Sequence, residues 1–159
     1  MPLSPSAWTR LEYQHRTIRE LIEDFSEQQL KQRVDPSKWS VFENIVHLAS
    51  YQPIFLLRLD RILNGDLPAF TRYTADDDPQ FSIDLELPLH SLLDYIDTRR
   101  ADLVLKLQGM SETELSRTGV HPAFGKMNVV RWTEFFLLHE AHHIYTIFRL
   151  VQQMRKELR

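Results

Sequence analysis

Apolar residues recur at spacings of three and four along much of this 159-residue chain, which is the period of one face of an α-helix. A first helix is predicted from about Pro5 to Phe25. Trp8, Leu11, Ile18, Ile22 and Phe25 line one face, and His15 is the one polar member of that stripe. A polar passage, Ser26 to Lys38, follows, and its Asp35-Pro36 pair signals a turn. Ser40 and Glu43 have capping-box spacing, in which each side chain satisfies the other residue's backbone N–H. They open a second helix, predicted to end near Asn64-Gly65 with a kink at Pro53. Its apolar residues, from Phe42 to Leu59, surround much of the circumference. Such a helix is central, or is also covered by a second subunit.

Gly65 to Leu87 has no strong period. So long a connection is unusual in a compact domain, unless helices two and three run parallel and the chain must return along the bundle. A third helix starts at Pro88 and carries Leu89, Leu92, Leu93, Ile96, Leu103 and Leu107 before Gly109. Ser111 with Glu114 predicts a short extra turn of helix, and Gly119 to Gly125 reads as a loop. A fourth helix, capped by Asn128, runs to about Leu158 with Trp132, Phe136, His139, His143, Ile147 and Leu150 facing inward. The expected fold is all-α: an up-down-down-up four-helix bundle with a long connection between helices two and three, residues 1–159 forming one domain.

Composition narrows the chemistry. The net charge of −3 and the scattered Lys and Arg offer no track for nucleic acid. The basic tail, Arg155, Lys156 and Arg159, complements a helix C-terminus. The first residues lack the charged head and apolar stretch of a signal peptide, and apolar runs such as Ile54 to Leu57 are too short to span a bilayer. No membrane association and a cytoplasmic location are expected. Cysteine is absent, so a metal site must use imidazole, carboxylate or backbone groups.

His139 and His143 stand four apart on the inward stripe, so their rings project from one helix face a turn apart. Two buried imidazoles without partners cost roughly 1–3 kcal/mol per unsatisfied group. Either a metal ion or hydrogen-bonding partners such as Tyr or carboxylates must offset that. His142 shares a face with Phe135, Leu138 and Tyr145 and reads as an interface or supporting residue. His139-Glu140-Ala141-His142-His143 also fits H-E-x-x-H, in which the glutamate is a general base. The protease reading is set aside, because no further histidine follows His143. His121 lies in the loop before the fourth helix, as a loop residue or an acid or base over the site. His15 reads as a satisfied core histidine, His90 as a surface residue, and Asp76 to Asp78 as a solvated turn.

Two segments resemble the DinB/YfiT-like superfamily. Lys38-Trp39-Ser40-Val41-Phe42-Glu43-Asn44-Ile45-Val46-His47-Leu48 looks like that family's Trp-Ser-x-x-Glu-x-x-x-His-Leu segment. The stretch from Gly125 to His143 is similar to its last helix, where two ligands lie four apart. The resemblance extends over nearly the whole chain in helix order. It implies a metal-binding bundle, commonly a homodimer, with His47, His139 and His143 as ligands to a divalent ion, zinc or nickel by imidazole chemistry. It further implies a metal-dependent enzyme, a hydrolase or an S-transferase using a low-molecular-weight thiol or another small substrate. The alternative is a non-catalytic dimeric metal-binding bundle serving in stress or interaction. One departure is visible: the family often has Gly-Gln shortly after the final histidine, where this chain has Ile144-Tyr145-Thr146.

Overall fold

The computed structural model describes residues 2–157; the expected helix end at Leu158 and the terminal Arg159 lie outside the described residues. Ser4 caps α1 (Pro5–Tyr13), with its hydroxyl accepting from the Ala7 N–H at 3.2 Å. The first predicted helix is not continuous. It tightens into a 3-10 turn over Gln14–Arg16 before resuming as α2 (Thr17–Ile22). The tightening falls where Gln14 and His15 reach buried charged partners on other helices. The polar passage holds α3 (Glu27–Leu30), one turn closed by a Ser26–Gln29 capping box.

The predicted Ser40–Glu43 capping box opens α4 (Val41–Asn64), which continues through Pro53. Beyond it, the long connection is more ordered than its pattern suggested. It contains a 3-10 turn at Ala75–Asp77 and α5 (Pro79–Asp84), capped by Asp78. Pro88, the predicted first helical residue, instead serves as N-cap to α6 (Leu89–Gln108), which starts one residue later. Ser111 and Glu114 cap α7 (Glu112–Ser116).

The segment read as a loop folds instead as an antiparallel hairpin, β1 (Thr118–His121) and β2 (Gly125–Asn128). Four-residue strands show too little alternation to be read from pattern. Their stability comes from neighbours distant in sequence. Phe70 N–H donates to Val120 O at 3.1 Å and Val120 N–H to Pro68 O at 2.8 Å, pinning the connection against the hairpin. Gly119 permits this approach, since a Cβ there would sit 2.8 Å from both Ile62 and Phe70. Asn128 then caps α8 (Val129–Glu157), accepting from Arg131 N–H at 2.9 Å.

Cross-helix bonds fix the directions. Leu11 meets Arg100 and Arg19 meets Asp94, so α1–α2 run against α6. Arg10 meets Glu134 and Asp24 meets Arg155, so α1–α2 run with α8. Asn44 meets His143 and Phe55 meets Phe136, so α4 opposes α8. The core has two parts. One gathers Ile18, Phe42, Ile45, Ile96, Ile147 and Val151; the other gathers Leu11, Tyr51, Phe55, Leu103, Trp132 and Phe136. On α8, His139 and His143 fall between Leu137 of one part and Ile147 of the other. No helix among the described residues is long and apolar enough to cross a membrane.

Candidate metal centre

The one-turn spacing of His139 and His143 on α8 sets their rings side by side, with centroids 4.8 Å apart. The antiparallel α4 brings His47 against both. One ring nitrogen from each of the three lies within 4.8 Å of the others, and Nε2 of His47 is 3.0 Å from Nε2 of His139. Two imidazole nitrogens on one ion, at bond lengths near 2.0–2.1 Å, are separated by about 3 Å. The triad has ligand geometry.

Its proton inventory points the same way. Asn44 Nδ2 donates to Ser40 O at 2.8 Å, which leaves Asn44 Oδ1 to accept from His143 Nδ1–H at 2.9 Å. His143 Nε2 therefore carries a lone pair. The facing Nε2 atoms of His47 and His139 can share at most one proton. At least one of these two rings must then place its proton on Nδ1, and both Nδ1 atoms are buried without a partner among the described residues. Without a cation, the arrangement leaves unsatisfied polar groups. Burial, then repulsion from neighbouring histidines, holds each of His47, His139 and His143 down to about 3. All three are neutral near pH 7, as metal ligation requires.

The triad opens into a cavity of about 680 Å³, also lined by Trp39, Tyr51, Arg58, Tyr73, His121 and Phe135. Trp39 lies 5.2 Å from the His47 ring and 6.2 Å from the His143 ring, and Tyr51 lies 4.6 Å from the His139 ring. His121 does reach this cavity, as one reading of the sequence allowed. Its Nδ1 accepts from the N–H groups of Ala123 and Phe124 at 3.1 and 3.2 Å. Neutral His121 is thus an Nε2–H donor rather than a base, and burial, with Arg58 nearby, lowers its pKa.

The other histidines fall outside the triad. His142 is exposed, with its ring 5.3 Å from that of His143. His90 is exposed on α6. His15 is a satisfied core residue, 3.4 Å from both Arg100 and Asp97. Glu140 does not act beside the histidines as H-E-x-x-H would require. It is buried against Arg100 in an ion pair, and Gln14 Nε2 donates to its other oxygen at 2.8 Å. Asn44, Tyr51 and Arg58 were not singled out from sequence. Asn44 stands three before His47 and Tyr51 four after it, on the same helix face, and that periodicity was the available signal.

Fold and site together define a helical bundle with a three-histidine cluster suited to a divalent metal ion. The sequence profile of the DinB superfamily matches residues 10–147, and the chain belongs to that family. It is similar to a protein of Oceanobacillus iheyensis described as a candidate metal-dependent hydrolase, at 23% identity over 138 residues, covering 87% of this chain and 80% of that one. Among solved structures it superposes on Bacillus subtilis YfiT, described as a probable metal-dependent hydrolase of unusual four-helix bundle topology. That match has a TM-score of 0.80 at 18% identity, over 94% of this chain and 86% of the other. A second match, the four-helix bundle protein TT2238, has a TM-score of 0.65 at 22% identity, over 89% and 95% of the two chains. A third, a DinB-like protein of Bacillus subtilis, has a TM-score of 0.62 at 17% identity, over 94% and 91%. At these identities the structural matches establish the fold.

Proposed function

We propose that the protein is a metal-dependent hydrolase acting on a small molecule in the cavity above the triad. His47, His139 and His143 hold the ion through their ring nitrogens, and zinc or nickel suits three imidazoles. The observation that carries the reading is the convergence of three neutral imidazoles, one buried and two half-buried, on one point in the lining of a cavity of about 680 Å³. Three protein ligands leave a coordination position open, the pattern of catalytic rather than structural sites. When bound, such an ion supplies Lewis acidity, polarising a substrate carbonyl and lowering the pKa of water.

The chain's own residues prepare that chemistry. Asn44 fixes the His143 ring through Nδ1–H, the kind of outer contact that sets ligand orientation. Trp39, Tyr73 and Phe135 wall the cavity with aromatic rings. His121 presents Nε2–H from the hairpin as a donor to a substrate oxygen.

The same open position suits a second use, presentation of a low-molecular-weight thiol for S-transfer, in which the thiol arrives with the cosubstrate because the chain has no cysteine. Cobalt substitution separates the readings. A hydrolase predicts one cobalt per chain, metal-dependent cleavage of a small ester or amide, and loss of both in His143→Ala. A visible spectrum altered by small thiols, without hydrolysis, assigns the transferase. Bound cobalt with neither response overturns catalysis and leaves a non-catalytic metal-binding bundle.

The homodimer implied by the family resemblance finds support in an exposed stripe on α8. Leu138, Tyr145 and Phe148 are 62%, 61% and 44% exposed on one side of the helix. Sedimentation at micromolar concentration should give a dimer that Leu138→Glu dissociates; a wild-type monomer would contradict the assignment.

A further inference from the structure

Arg58 is the anomaly of the cavity. It is 8% exposed, yet no carboxylate lies within ion-pair distance of it among the described residues. The other deeply buried arginine, Arg100, is paired with Glu140. A buried guanidinium without a counter-charge is expensive and uncommon. Of its five N–H donors, one goes to Tyr51 Oη at 2.9 Å and one to Thr71 O at 3.1 Å. Both acceptors are neutral, and the remaining donors have no protein partner among the described residues. Three rings hold the head group in place: Tyr51, Phe70 and Trp132, at 5.8, 5.6 and 5.7 Å from the guanidinium carbon.

Tyr51 links this charge to the metal centre. Its ring lies 4.6 Å from that of His139, and both Tyr51 and Arg58 line the same cavity as the triad. Because the Tyr51 oxygen accepts from Arg58, its own proton is left to donate. A planar fork and a hydroxyl donor side by side match the two oxygens of a carboxylate.

We infer that Arg58 and Tyr51 form a carboxylate-recognition subsite, so that the small molecule taken into the cavity carries a carboxylate beside its reacting group. The inference rests on the cavity being the substrate site. The Arg58 contact to Thr71 O also anchors the connection that passes over the cavity. A useful test must therefore read charge preference rather than stability.

Benzoate and its neutral counterpart benzamide are suitable probes for a ring-lined pocket. Titration calorimetry on the full chain, both chelator-treated and zinc-loaded, should show benzoate binding about tenfold more tightly than benzamide in both forms. Arg58→Gln should abolish that preference while leaving benzamide affinity within about twofold. Equal binding, no binding, or a preference that survives Arg58→Gln would overturn the subsite. If Arg58→Gln loses its helical circular-dichroism signal, Tyr51→Phe decides: a reduced preference supports the subsite and an undiminished one overturns it. A preference seen only with zinc assigns the anion to the ion, overturning the subsite but not the metal centre. A preference that persists in a chain that takes up no zinc overturns the metal centre alone.

Discussion

His139 and Glu140 are neighbours in sequence on α8, yet they serve two opposite kinds of buried polar cluster. On one side of the helix, Glu140 is matched by Arg100 and Gln14, and Arg100 also donates to Leu11 O at 3.2 Å. Charges cancel, and the Arg100 head group is further seated over the Phe136 ring. On the other side, His47, His139 and His143 turn nitrogens toward one another, with two buried Nδ1 atoms unpartnered. The first cluster is balanced in charge within the protein, although Arg100 Nε has no partner among the described residues. The second is completed only by something added. Buried polar groups that satisfy one another tie helices together, whereas convergent groups that share a deficit identify a ligand site.

The sharpest way to test the completed side is to break it. Arg100→Ala leaves Glu140 buried and uncompensated, and should cost about 3–5 kcal/mol of stability by urea unfolding. Replacing both partners, as in Arg100→Met with Glu140→Leu, should recover most of that loss. If the single change costs under about 1 kcal/mol, the cluster does not hold the helices as described. Neither change should alter the number of metal ions bound, because Glu140 is not part of the triad.

A second effect follows from His15 beside that ion pair. Burial, then the Arg100 charge, holds it down to about 4, with Asp97 opposing. Above pH 6.5 the ring is neutral folded or unfolded, and its contribution is fully present. Between 6.5 and about 4 the unfolded chain takes a proton that the folded chain resists, so stability falls as pH falls. Below that window this residue adds no further loss. The shift corresponds to about 3 kcal/mol. The triad histidines act in the same direction in metal-free protein. Urea unfolding from pH 7 to 4 on His15→Gln and the parent chain therefore isolates His15; parallel curves would contradict the assignment.

The smallest effect concerns the deficient side. Asn44→Ala removes the acceptor for His143 Nδ1–H and should weaken metal binding by roughly 10–100-fold without abolishing it. Competition against a chelator of known affinity measures this. An unchanged affinity would remove Asn44 from the account.

Much of the scaffold could be read from local chemistry. The Ser40–Glu43 and Ser111–Glu114 boxes and the Asn128 cap are interactions within four residues, and they set three helix starts. The pinning of the hairpin by Pro68 and Phe70 and the 3-10 turn at Gln14–Arg16 depend on partners far along the chain, which periodicity does not register. Of the site, the spacing of His139 and His143 was visible on one helix. His47 came through family resemblance, since nothing local says which face of α4 meets α8. Arg100 and Glu140 stand in inward positions, four after Ile96 and four after Phe136, and a charge in an apolar stripe was the signal for both. Their pairing needed the fold.

On this reading His47, His139 and His143 together form one metal site. Titrating zinc into chelator-treated protein and into His47→Ala tests it most directly. One ion per chain is expected in the parent, with loss of that binding in the variant and the helical circular-dichroism signal retained. Undiminished zinc binding by folded His47→Ala would contradict it.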